Sequence, residues 1–126
     1  MDKKDLRAFA LDEKERRLRV HRDYELPADG PIMPMVTVSA AVLADSPFTA
    51  DLHRRAKEST DKDDMFPWIA PGRPNVPLTA AQIRSLTEQV EVHEVSLHDF
   101  FHRLLRSIDI GAISTPEKIQ NADWPA

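Results

Sequence analysis

The chain has 126 residues, 41% of them hydrophobic and 30% charged, with a formal net charge of −4. That is enough chain for one domain with at most an appendage, and its acidic balance argues against a dedicated duplex-DNA binder. It contains no cysteine, which excludes disulfides, thiol catalysis, iron–sulfur clusters and cysteine-ligated zinc together.

No apolar run approaches the ~20 residues needed to span a bilayer. The opening stretch MDKKDLRAFALDEKERR lacks an apolar signal core, so a soluble protein made without membrane export is expected.

Residues 1–25 read as a charged N-terminal helix set apart from residues 26–126. Eight are basic and seven acidic, and Asp12/Arg16, Glu13/Arg17 and Glu15/Arg19 place opposite charges one helical turn apart. The apolar residues of this segment form no single stripe, so it reads as a surface or partner-dependent helix, with Phe9 its best anchor. Glu25 to Pro34 is a turn-rich linker, tightest at Asp29-Gly30. Met35 to Ser39 alternates like a short strand, with Val36 and Val38 on one face. Ser46-Pro47 reads as a cap followed by proline at the first helical position, launching a short helix to about Glu58. Ser59 to Asp64 is a polar break. Met65 to Thr79 has the pattern of a proline-stiffened β-hairpin, with Phe66, Trp68 and Ile69 on one arm and Val76 and Leu78 on the other. Its prolines and glycine, Pro71-Gly72 near the turn among them, keep regular pairing short.

One long central helix follows, over about residues 80–109. Thr79 and Gln82 have the spacing of a capping box, and Gly111 can adopt the left-handed conformation that ends a helix. Ile83, Leu86, Val90, Leu97, Phe100 and Leu104 recur at three- and four-residue spacing, and His93 interrupts the seam. Beside the seam, Val92, Val95, Phe101, Leu105 and Ile108 make the second half apolar on more than one side. Such a helix must be covered on every side, so either the rest of the chain suffices or a partner or second copy completes the cover. Ser114 to Glu117 starts a last short helix, and Asn121 to Ala126 is an extended tail. The fold class expected is α+β, mainly helical.

Catalytic constellations are weak. His98 and His102 share a helix face at a metal-binding spacing, but the residue after the first histidine is Asp99 where a zinc peptidase carries glutamate, and nothing marks a third ligand. Three glycines cannot build a phosphate loop, and no strand–serine–turn context marks a nucleophile. No catalytic, cofactor or metal residue is assigned, and a non-enzymatic protein is expected. His93 reads first as a core histidine and second as a device that sets helix register.

Residues 66–126 resemble a small domain of undefined function found in phage and prophage tail-fibre-type proteins. The resemblance is carried by Phe66-Pro67-Trp68, the run Val76-Pro77-Leu78-Thr79-Ala80-Ala81-Gln82-Ile83, and His93 within the helix. It continues through the Phe100-Phe101 pair, Gly111 to Glu117, and Trp124-Pro125. It implies a tail-associated protein acting by protein–protein contact, located in the virion tail or in the host cytoplasm during assembly. The partner implied is a tail-fibre or baseplate protein, with a second copy of the chain as an alternative. Phe66, Trp68 and Trp124 are the expected contact anchors, because aromatic residues dominate interface hot spots. Core packing is the competing role, more so for Trp68 than for Trp124. A fibre component and a fibre-assembly chaperone are the leading functions. An intracellular regulatory or inhibitory protein that binds a host protein or nucleic-acid complex is the alternative.

Overall fold

The structure is a computed structural model that describes residues 1–31, 33–43, 47–61, 64–70 and 72–125. The elements run α1 (Lys3–Leu18), β1 (Arg22–Leu26), β2 (Val36–Ala40), α2 (Pro47–Glu58), β3 (Met65–Trp68), β4 (Val76–Thr79), α3 (Ala80–Asp109) and α4 (Pro116–Gln120). The class is α+β, with two small antiparallel sheets and one dominant helix. Ser46, Pro71 and Ala126, which were given roles in the second helix, the hairpin turn and the tail, lie outside the described residues.

The N-terminal segment departs from expectation. Its helix ends at Leu18, and Arg22–Leu26 is a strand rather than the end of a helix and the start of a linker. The strand is hidden in the sequence because Arg22, Asp23 and Glu25 continue the charge run, while only Tyr24 and Leu26 alternate into the core. Within α1 the expected Glu13–Arg17 pair forms, and Arg16 joins it on the same carboxylate. Buried Glu13 receives both Arg16 (2.6 Å) and Arg17 (2.9 Å).

The chain contacts divide the protein into two compact units, residues 20–91 and residues 1–19 with 92–126, and the boundary falls within α3. In the first, β1 pairs with β2 in the register Tyr24↔Val38 and Leu26↔Val36. The second hairpin pairs Phe66 with Leu78 and Pro67 with Pro77. Proline has no N–H, so the Pro67–Pro77 pair occupies a position without ladder bonds, and each outer edge of this hairpin lacks a donor at its centre. The edges of the β1–β2 hairpin are met by side chains instead. The Trp68 indole donates to the Ser39 carbonyl (3.0 Å) and Gln89 Nε2 donates to the Glu25 carbonyl (3.0 Å). Tyr24, Leu26, Val38, Leu52, Phe66, Trp68, Leu78, Ile83 and Leu86 build one continuous core here.

α3 begins as its capping residues require. Thr79 N–H donates to Gln82 Oε1 and Gln82 N–H to Thr79 Oγ1, each at 3.2 Å. It ends where Gly111 takes φ +80°, with its N–H on the Ile108 carbonyl at 3.1 Å. At 1.5 Å per residue the helix is about 45 Å long.

The second unit buries Leu6, Ala10 and Leu18 of α1, Leu97, Phe101, Leu104 and Ile108 of α3, Ile119 of α4, and Trp124. Lys3 Nζ donates to the Asp109 carbonyl (2.7 Å) and Arg7 pairs with the Asp109 carboxylate, so two cations meet the negative end of α3. α4 is capped by Thr115, with proline at its first position. The buried stripe of α3 passes through Phe101, not Phe100 as the seam predicted. Two adjacent phenylalanines fit the spacing almost equally well. Phe100 instead meets the Trp124 ring in a tilted contact, with centroids 4.9 Å apart.

Candidate functional site

Among the described residues, the most exposed large apolar side chains within a helix are two of α3, ahead of Leu11 of α1 (42%) and Phe48 of α2 (45%). Val92 is 68% exposed and Val95 58% exposed. Its buried stripe in this half is His93, Leu97, Phe101, Leu104 and Ile108. At 100° per residue, Val92 and Val95 lie on the side opposite that stripe. Valine is a mediocre helix former, costing about 0.5 kcal/mol against alanine at an exposed position, so local helix stability does not account for the pair. Glu88 lies one turn before Val92 and Asp99 one turn after Val95, both exposed. The valine pair is thus bracketed by carboxylates on one face of one helix. Ser96 Oγ donates back to the Val92 carbonyl (3.0 Å), which spends the adjacent hydroxyl within the helix.

The other expected contact residues are placed differently. Phe66, Trp68, Phe101 and Trp124 are buried within the chain, and Phe9 and Leu105 are half-buried. Trp124 donates its indole N–H to the Ile119 carbonyl (2.9 Å), and the Arg17 guanidinium lies 5.1 Å from its ring centroid. The terminal tryptophan is therefore a packing residue that ties the tail down. Of the eight residues expected to touch a partner, only Val92 and Val95 present most of their surface to solvent. The bracketing carboxylates were missed in the sequence, although the four-residue offsets on either side of the valines were a readable signal.

His98 is drawn into side-chain contacts rather than into a ligand set with His102. Its Nδ1 lies 3.4 Å from Lys14 Nζ and its Nε2 lies 3.7 Å from Glu94. Lys14 also sits 4.5 Å from the Phe101 ring centroid. Among the described residues, no group of three His, Asp or Glu side chains is placed to hold a metal ion. His93 is buried, and it has an interaction partner.

A cleft of about 930 Å³ opens at the start of α3, lined by Asp29, Met33, Asp61, Met65, Ala81 and Arg84 among others. Arg84 turns its Nη1 to the Ala56 carbonyl (2.9 Å), closing the end of α2. His53 packs edge-on to Trp68, with Nδ1 2.5 Å from Thr87 Oγ1. The Thr87 hydroxyl donates to the Ile83 carbonyl (2.9 Å), so it accepts from an Nδ1–H of His53. Burial lowers the pKa of His53, and Glu91 opposes that shift in part.

No family model, curated protein or solved structure matches this chain. Among the described residues, no helix is long and apolar enough to cross a membrane.

Proposed function

We propose that this chain is a non-enzymatic, tail-associated protein of a phage or prophage that acts by protein–protein contact. The tail assignment rests on the resemblance of residues 66–126. The mode of action rests on one observation above all, the exposed Val92–Val95 pair on the outer face of α3. Strand addition is the other common way for a small protein to dock. Here Pro67 and Pro77 remove the central edge donors of one hairpin, and Trp68 and Gln89 occupy edge carbonyls of the other. A helix face is left as the better docking element.

The test is affinity capture of the tagged chain during particle production, with Val92→Asp/Val95→Asp run alongside. Recovery of a tail-fibre or baseplate protein by the wild type, lost in the double variant, is expected. Presence in purified particles then distinguishes a fibre component from an assembly chaperone. Recovery of a host protein or nucleic-acid complex, with no tail protein, would replace this reading with that of an intracellular regulator. The double variant sets four carboxylates in a row on one helix face, so a slightly lowered melting temperature with a retained cooperative transition is expected, and that separates lost contact from lost fold.

A further inference from the structure

No further inference is drawn: the strongest candidate, the cleft at the start of α3 lined by Asp29, Met33, Asp61, Met65 and Arg84, mixes two carboxylates, two thioethers and a guanidinium bonded to the Ala56 carbonyl, a set that selects no ligand class, and nothing in the structure shows what fills it.

Discussion

Gln82 and Thr79 satisfy each other at the start of α3, and the same glutamine holds a distant loop. Its Oε1 accepts from Thr79 N–H, while its Nε2 donates to the carbonyls of Pro27 (3.3 Å) and Pro34 (3.2 Å). Gln82 is 1% exposed, whereas Pro27 and Pro34 are exposed, so water can take over their carbonyls. Replacing Gln82 with alanine removes a cap worth about 1 kcal/mol and unties the loop. We expect Gln82→Ala to lose about 1–2 kcal/mol in urea denaturation. Gln82→Glu keeps the acceptor but not the donors, and should fall further than a cap loss alone.

The Tyr24 hydroxyl is buried and, among the described residues, has no hydrogen-bond partner. Burial pushes its pKa up, and the nearby Arg22 guanidinium offsets that only in part. An unsatisfied buried hydroxyl costs about 1–3 kcal/mol in desolvation. Tyr24→Phe keeps the ring in the core and removes the polar atom. Its unfolding free energy should equal or exceed the wild type's by up to about 1 kcal/mol. A clear loss of stability would show that the hydroxyl contributes to the fold.

Much of this architecture is legible in the residues because punctuation marks it. Thr79, Gln82 and Gly111 bound α3, Pro47 opens α2, and Pro67 and Pro77 confine the second hairpin to four-residue arms. The β1 strand escaped because its alternation is carried by two residues inside a charge run. The candidate site was half legible. An apolar excess in the second half of α3 can be counted, yet which part of it stays uncovered depends on contacts distant in sequence. Trp124 folds back onto Phe100, and Phe101 turns inward beneath Lys14. No local pattern announces either event.

His53 should make stability depend on pH near neutrality. An unfolded histidine titrates near 6.5, and burial lowers the folded value. Between those two values the unfolded chain binds a proton that the folded chain does not, so stability rises with pH across the window. The contribution is complete above about pH 6.5 and is lost as pH falls below it, levelling off beneath the folded pKa. Urea titrations at pH 8 and pH 5.5 should show the wild type weaker at the lower pH. His53→Gln should reduce that difference, and an unchanged difference would assign it to another group.

Trp124 tests whether the tail is part of the fold. Its ring contacts both Phe100 and the Arg17 guanidinium, its indole N–H is bonded to the Ile119 carbonyl, and it is buried. Arg17 is held in turn by Glu13, whose carboxyl its two arginine partners keep below the usual range. Trp124→Ala removes a large buried ring and should cost about 3 kcal/mol. Hydrogen exchange should then quicken in Phe100–Asp109 and in α4, while the amides of β1 and β2 keep their protection. Uniform quickening throughout would mean that the two units unfold as one. Wild-type stability in Trp124→Ala would mean that the tail only rests on the helix, returning this tryptophan to the residues available for a partner.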